Sequence, residues 1–134
     1  MKSFFVDKVL WVKKDQGISA CGQIPKEAEF FKDHFPGFPV LPGVLALEML
    51  RQTIECYFQA TDEVARKVTL KQIRAVKFSN YLKPGDLWES FLDLVSQNGE
   101  ESNWNARLLH QNQNAVSAKL VVTSTHRLQP QTIF

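Results

Sequence analysis

The chain has 134 residues and a mass of 15.3 kDa, which is room for one ordinary domain. Hydrophobic residues make up 44% and charged residues 22%, so the composition is that of a globular protein and excludes disorder as its main character. The formal net charge is only +2, from 16 basic and 14 acidic residues. This balance gives no electrostatic case for nucleic-acid binding, which needs a concentrated basic surface.

Cysteine content and the amino-terminal residues indicate the compartment. Cys21 and Cys56 are too few for a disulfide scaffold, and with three scattered histidines they do not make a standard zinc site, so we expect no metal. Both thiols are expected in the core of a protein from a reducing compartment. Residues 1–8 carry charge too early for a signal peptide, and no stretch reaches the roughly 18 apolar residues of a membrane span. We therefore expect a cytoplasmic protein.

The first third of the chain combines strand patterns with a rigid loop. Residues 4–12 are an apolar segment of mixed type, and residues 18–24 alternate in a way that predicts a strand ended by Pro25. Residues 30–43 concentrate rigid and aromatic side chains: Pro36, Pro39, Pro42, Phe30, Phe31, Phe35 and Phe38. Because proline fixes φ before folding, such a loop loses little entropy on ordering and suits a wall of defined shape.

Residues 44–58 are the best helix candidate, since they contain no glycine or proline and Gly43 stands at their entrance. Apolar side chains cover most of the helical circumference, which predicts a largely buried helix. The polar residues recur at helical spacing and form one narrow stripe: Glu48, Arg51, Gln52 and Glu55.

The second half of the chain predicts strands joined by turns. After a polar link over residues 61–67, we expect strands at 69–78, 87–96, 103–110 and 115–124, and turns at 84–86, 97–100 and 112–114. The fold class is α+β, with an antiparallel sheet and one long helix packed on it. Free strand edges in such a sheet usually pair with another copy. Residues 1–126 are expected to form a single domain, with 127–134 as a carboxy-terminal tail.

One dense motif carries the functional information. It reads His34-Phe35-Pro36-Gly37-x-Pro39-Val40-x-Pro42-Gly43-Val44-Leu45-x-x-Glu48 and ends in Gln52. This segment resembles the signature of the 3-hydroxyacyl-[acyl-carrier-protein] dehydratases of hot-dog fold. Weaker likeness extends over residues 5–10, 75–78 and 84–86. The resemblance implies a hot-dog fold, in which an antiparallel sheet wraps around one long central helix.

Dehydration of a 3-hydroxyacyl thioester removes a proton from C2 and expels a hydroxyl from C3, giving a trans-2-enoyl thioester. Histidine, with an ordinary pKa of about 6.5, suits the base, and the resemblance gives this role to His34. A buried carboxyl with a raised pKa suits the acid, and Glu48 fits it. A backbone N–H at a helix amino terminus can donate a hydrogen bond to the thioester carbonyl and stabilise the negative charge that develops there. The sequence puts Gly43 in this position. No metal or organic cofactor is required.

The resemblance also implies that each site is shared, so that His34 of one chain meets Glu48 of its partner in a homodimer or higher homo-oligomer. The acyl chain is expected in an apolar tunnel along the dimer interface. Its predicted lining and substrate-binding residues are Phe31, Phe35, Phe38, Val44 and Gln52. An acidic acyl carrier protein would need a basic landing surface, for which the candidates are Lys13, Lys14, Lys32, Arg74, Lys77 and Lys83.

Two positions depart from the pattern of the housekeeping enzymes, where small residues mostly follow the glutamate. Here Met49 and Arg51 are bulkier, and we expect them to shorten or reshape the tunnel if they face it. Arg51 stands three residues after Glu48, within helical reach, where a guanidinium lowers the carboxyl pKa and opposes its role as acid. This suggests either an impaired enzyme or a specialised one that prefers short or unusual acyl chains over long saturated ones.

Other interpretations remain open from the sequence. A histidine in a rigid loop is often structural, and the stripe containing Glu48 is also typical of a solvated helix face. Besides a dehydratase of fatty-acid-like or specialised acyl or polyene biosynthesis, the same fold fits a thioesterase or isomerase. A third reading is a non-catalytic acyl-binding subunit that completes a heterodimer.

Overall fold

The computed structural model describes residues 5–26, 40–62 and 66–126. In this part of the chain one helix and six strands follow one another. They are β1 (Lys8–Lys13), β2 (Gly17–Gln23), α1 (Gly43–Asp62), β3 (Arg66–Phe78), β4 (Leu87–Asn98), β5 (Glu101–His110) and β6 (Gln113–His126).

The six strands form one antiparallel sheet in the order β1-β2-β4-β5-β6-β3. Helix α1 packs on one face of this sheet, because its apolar side chains and the inward-facing strand residues share one core. Trp88, Trp104, Tyr57 and Phe58 are the largest side chains in that core. Residues 104, 106 and 108 of β5 are buried in alternation, as the sequence predicts. The predicted α+β fold, with one long helix on an antiparallel sheet, is confirmed.

The helix is longer than predicted at both ends. Its first hydrogen bonds run from the N–H groups of Leu45 and Ala46 to the carbonyl of Pro42, at 3.0 and 3.2 Å, so the helix begins at Gly43. The expected polar link over residues 61–67 is wrong at its start, because α1 continues to Asp62. The hydroxyl of Thr61 donates to the carbonyl of Tyr57 at 2.8 Å, and Arg66 Nε lies 2.7 Å from Asp62 Oδ2.

The predicted hairpins are present; the first turn is shorter than the predicted range 97–100, and the second is shifted by one residue. The β4–β5 loop is the pair Gly99–Glu100, since Asn98 already pairs with Glu101. The β5–β6 turn lies at Gln111 and Asn112, with φ of 51° and 63°, rather than at residues 112–114. Two successive positive φ values are the geometry of the tight hairpin turns that match strand twist.

Strand β3 lies at one edge of the sheet, and among the described strands it pairs only with β6. Ile73 stands opposite Leu120, which faces the helix, and yet it is 39% exposed. Apolar exposure continues through Val76 and Phe78 to Tyr81. A long edge strand with an uncovered apolar face is a surface suited to pairing with another chain.

The two cysteines are free and only partly buried, so the expected core placement is wrong for Cys21, whereas Cys56 packs against the edge of the core. Burial raises the pKa of the Cys56 thiol, and the Glu55 carboxylate adds to that rise. Among the described residues no helix is both long enough and apolar enough to cross a membrane.

Candidate active site at the start of the helix

Gly43 presents a backbone N–H at the amino terminus of α1. Within the described segments this N–H has no hydrogen-bond acceptor, whereas the next turn bonds to Pro42. A side chain here would displace the ring of Phe78, because a Cβ on residue 43 would lie 2.8 Å from its Cζ. The first backbone N–H groups of a helix and the positive end of its dipole make this point suited to holding an oxygen that gains negative charge.

A cavity of about 310 Å³ is lined in part by Gly43. The N–H of Leu41 donates to the carbonyl of Leu82 at 2.6 Å, which fixes the segment before α1 against the loop after β3. The side-chain amide of Asn80 donates a hydrogen bond to the carbonyl of Asn114 at 2.7 Å. The walls are mainly apolar, formed by Val40, Leu41, Pro42, Gly43, Ala46, Phe78, Asn80, Tyr81, Leu82 and Val116. An apolar cavity that reaches a helix amino terminus suits an acyl thioester.

Glu48 lies farther along the helix and does not line this cavity. It follows Gly43 by five positions, which corresponds to about 7.5 Å along the axis and about 140° around it. Its carboxylate accepts two parallel hydrogen bonds from Arg51, with Nε 2.6 Å from Oε1 and Nη2 2.7 Å from Oε2. The two side chains form a bidentate ion pair on one face of α1.

This pairing sets the charge state of Glu48. The hydrogen bonds from Arg51 hold the pKa of the Glu48 carboxyl below its ordinary value, against the opposing effect of partial burial. A hydrogen bond from Gln52 and the positive charge of Arg51 lower the pKa further. The pKa of Arg51 is raised in turn, chiefly by its bond to Glu48. The sequence prediction that Arg51 lowers the pKa of Glu48 is confirmed.

Gln52 connects Glu48 to the amino-terminal segment. Its Nε2 donates to Glu48 Oε2 at 3.2 Å, and its Oε1 accepts the backbone N–H of Phe5 at 3.0 Å. The side chain is only 7% exposed, so its amide is held in one orientation. The residue is therefore part of the structure that positions Glu48.

A family model described as ApeI dehydratase, of the ApeI-like family, matches residues 11–119. The chain belongs to the ApeI-like dehydratase family. The predicted likeness to 3-hydroxyacyl-[acyl-carrier-protein] dehydratases is confirmed at the level of family by this match and by sequence relatives.

Relatives of this family member include dehydratases named FabZ. The 3-hydroxyacyl-[acyl-carrier-protein] dehydratase FabZ of Albidiferax ferrireducens is 34% identical over 119 residues, which cover 86% of this chain and 79% of the relative. FabZ of Levilactobacillus brevis is 31% identical over 94 residues, or 69% of this chain. The chain spans less than two thirds of the length of that protein and of FabZ from Pediococcus pentosaceus, at 64% and 63%.

Solved structures agree on the architecture. The dehydratase heterocomplex ApeI:P from Xenorhabdus doucetiae superposes with a TM-score of 0.75 at 17% identity, covering 92% of this chain and 84% of that chain. The protein smu.793 from Streptococcus mutans, bound to acetyl CoA, gives a TM-score of 0.70 at 11% identity and covers 96% of both chains. At these identities the likeness shows the fold alone, and the predicted hot-dog fold is confirmed.

The structure brings together only part of the predicted site. His34, Phe31, Phe35 and Phe38 lie outside the described residues. Val44 adjoins Gly43 but is 71% exposed, and it does not belong to the described cavity wall. Their assigned roles stay predictions.

The two bulky departures from the family pattern occupy different places. Met49 is fully buried in the core of this chain, so in the single chain it does not narrow the cavity beside Gly43. The guanidinium of Arg51 is directed to the Glu48 carboxylate. The basic candidates also separate, since Lys13 lies on β1 and Lys77 on β3, at opposite edges of the sheet.

Several contributing residues were not predicted. Phe78, Tyr81 and Leu82 form one wall of the cavity, and no local pattern indicates this because they come from the chain beyond the helix. Arg51 Nη1 also donates to Glu55 Oε2 at 2.8 Å. The spacing of four residues between these opposite charges is a signal that sequence reasoning had available.

A larger groove of about 720 Å³ lies at the ends of β2, β4 and β5 and contains none of the predicted site residues. His110 lies in its wall, with Nδ1 2.6 Å from the carbonyl of Leu87 and Nε2 3.8 Å from Asp86 Oδ1. No group of three histidine, cysteine or acidic side chains suited to a metal occurs among the residues that the structure describes.

Proposed function

We propose that this chain dehydrates 3-hydroxyacyl thioesters carried on acyl carrier protein to trans-2-enoyl thioesters. The pathway is fatty-acid-like or a specialised acyl or polyene biosynthesis. Support comes from membership in a dehydratase family over residues 11–119 and from relatives named 3-hydroxyacyl-[acyl-carrier-protein] dehydratase. The observation that carries the proposal is the position of Gly43, which begins α1 and lines an apolar cavity.

The first step uses the backbone N–H of Gly43. The thioester carbonyl accepts a hydrogen bond from Gly43, and the acyl chain lies along the apolar walls. When the proton on C2 leaves, negative charge spreads into the carbonyl oxygen. A fixed donor at a helix amino terminus stabilises that charge more than it stabilises the neutral substrate, which lowers the barrier.

The proton transfers are assigned to His34 and Glu48. His34 takes the proton from C2, and the electron pair of that C–H bond becomes the C2=C3 double bond. The C3–O bond breaks, and the hydroxyl leaves as water after it receives a proton from Glu48. The histidine suits a base near neutral pH, while a carboxyl must be protonated before it acts as an acid. No metal or organic cofactor takes part in these steps.

A second subunit is needed to complete this arrangement. In one chain Glu48 faces away from the cavity beside Gly43, so the Glu48 of a partner copy is assigned to each site. The exposed apolar residues around β3 and the start of α1 suit the surface of such a partner. Pairing of two β3 edges would extend the sheet across a homodimer and cover Ile73 and Phe78.

A basic area on the sheet face away from the helix suits an acidic carrier protein. Arg74 stands opposite Lys119, and Lys77 and Arg107 both stand opposite Ser117. We call Arg74, Lys77, Arg107 and Lys119 the outer basic surface. None of these four side chains forms an ion pair within the described residues. Unneutralised charge of one sign attracts and orients a partner of the opposite sign.

An assay with a 3-hydroxyacyl thioester on acyl carrier protein tests the function. We expect new enoyl absorbance without release of free thiol. Free thiol without enoyl product would replace the dehydratase by a thioesterase, and a shift of an existing double bond would indicate an isomerase. Absence of all three products would leave a binding role.

The Arg51–Glu48 ion pair favours a second candidate, a non-catalytic acyl-binding subunit that completes a heterodimer. An acid held in its charged form is poorly suited to donate a proton. The similar structure from Xenorhabdus doucetiae is named a heterocomplex. Co-expression with a hot-dog subunit from the same genome discriminates between the two candidates. Activity that occurs only in the mixed complex, and that is retained after Glu48→Gln in this chain, would support the second candidate.

A further inference from the structure

Arg51 occupies most of the hydrogen-bonding capacity of Glu48. Its Nε and Nη2 donate to the two different oxygens of the carboxylate, at 2.6 and 2.7 Å. Gln52 Nε2 adds a third donor on Oε2 at 3.2 Å. A carboxylate has about four lone-pair positions, so one remains for a substrate. Three N–H donors favour the ionised form over the protonated form, which cannot accept them as well.

The guanidinium is itself fixed in place from the other side. Arg51 Nη1 donates to Glu55 Oε2 at 2.8 Å and to the carbonyl of Val68 on β3 at 3.0 Å. The Arg51 and Glu55 side chains are 20% and 15% exposed, so solvent screens their ion pair only in part. Moving Arg51 away from Glu48 would break contacts to the helix and to the sheet together. We call the two parallel hydrogen bonds from Arg51 Nε and Nη2 to Glu48 the fork. Its geometry is therefore preorganised by the fold.

We propose that Arg51 is a positioning residue that holds Glu48 ionised, so that Glu48 becomes a proton donor only when this fork opens. Among the residues that the structure describes, the groups facing Glu48 are Arg51 and Gln52 on its own helix, with Glu55 and the Val68 carbonyl behind the guanidinium. Arg51 is the one charged group among the described residues whose field acts on this carboxyl. The consequence for turnover rests on the proposed function, whereas the charge state of Glu48 does not.

Replacement variants separate charge from shape. Arg51→Met keeps a long apolar stem and removes all five donors, so only Gln52 and partial burial act on Glu48. Arg51→Lys keeps the positive charge and loses the planar fork, which makes a lysine at a bidentate site an incomplete substitute. A matched control is Arg66→Met, because Arg66 pairs with Asp62 at the other end of the same helix, at 2.7 Å.

The charge state is measured directly by carboxyl ¹³C NMR on the full chain labelled at glutamate, with Glu48→Gln assigning the signal. We expect the pH midpoint of the Glu48 titration in the wild-type protein to lie below the ordinary glutamate pKa of about 4.3. Arg51→Met should raise the proton affinity of Glu48 about threefold, which is about half a pKa unit, and Arg51→Lys should lie between. Arg66→Met should leave it unchanged. A wild-type midpoint at or above the ordinary value, or equal midpoints in wild type and in whichever Arg51 variant folds, would overturn the role of Arg51.

The same proteins are then assayed with a 3-hydroxyacyl thioester across pH. Given the proposed function, Arg51→Met should raise kcat at neutral pH at least about threefold, and the pH above which kcat falls should follow the higher Glu48 pKa. A pH profile identical to that of wild type, with the NMR midpoint shifted, would remove the link to turnover. If no variant turns over while the NMR midpoint shifts as expected, the proposed function fails and the positioning role of Arg51 stands.

Discussion

The backbone N–H of Phe5 donates a hydrogen bond to Oε1 of Gln52, with 3.0 Å between nitrogen and oxygen. The two residues are 47 positions apart, and both are buried. The same Gln52 amide donates to Glu48, so the chain before β1 fixes the orientation of a predicted catalytic side chain.

Gln52→Leu should therefore destabilise the protein. It removes the acceptor for the Phe5 N–H, and a buried donor without its partner costs about 1–3 kcal/mol. Urea denaturation measures the free energy of unfolding. Gln97→Leu is the matched control, because Gln97 is exposed and its bond to the Gly99 carbonyl is 3.5 Å long. Equal stability of the two variants would show that the Phe5–Gln52 bond contributes nothing.

Gly43→Ala should lower turnover much more than stability. The added Cβ would lie 2.8 Å from Cζ of Phe78, a half-exposed ring that can move aside into the cavity. We expect a loss of at least about tenfold in kcat, the scale of a displaced oxyanion donor. Gly99→Ala provides the contrast, since that residue has φ of 65° and nothing within 4 Å of a Cβ. It should lose about 1 kcal/mol of stability through backbone strain and keep its kcat.

Mixing two inactive variants tests whether each site is shared between subunits. His34→Ala and Glu48→Gln should each abolish turnover while the dimer, measured by light scattering, stays intact. After subunit exchange, roughly a quarter of wild-type activity should return, because half of the dimers are mixed and each mixed dimer has one complete site. No recovery, despite exchange verified by mass spectrometry, would place both residues of a site in one chain.

The Arg51–Glu48 pair also predicts a pH dependence of stability. The folded-state pKa of Glu48 is lowered, so its stabilising contribution is present above its unfolded pKa of about 4.3 and is lost as pH falls through the lower folded value. Arg51→Met should cost about 0.5–1 kcal/mol at pH 7, as expected for a partly exposed ion pair. The difference from wild type should shrink below roughly pH 4. Chemical denaturation at several pH values checks this, and a gap that widens in acid would contradict it.

Reversing charge on the outer basic surface should weaken use of the carrier protein. Arg107→Glu with Lys119→Glu should raise the KM for a substrate on acyl carrier protein at least about fivefold at low salt, with less effect at high salt. The KM for the same acyl group on a small thiol should not change. Lys13→Glu, at the opposite edge of the sheet, is the control. An equal effect of Lys13→Glu would indicate net charge rather than this surface.

Local pattern predicted most of the fold. The alternation of Trp104, Ala106 and Leu108 places one face of β5 in the core, because strand side chains alternate with period two. The helix ends were less predictable. Helix α1 continues to Asp62, where the Asp62 carboxylate lies 2.7 Å from Nε of Arg66, four residues later on β3. The turn at Gln111 and Asn112 depends on the register of β5 against β6, which no short window of sequence contains.

The sequence by itself determined the family, through one motif from His34 to Glu48, and the order of helix and strands. It also indicated that Arg51 acts on Glu48, since helical spacing brings the two together. Only the tertiary structure decided that Val68 anchors the guanidinium and that Phe5 anchors Gln52, and it alone placed Phe78 against Gly43. These contacts join residues 17 to 47 positions apart, so they form only where the packed helix and sheet bring distant backbone together.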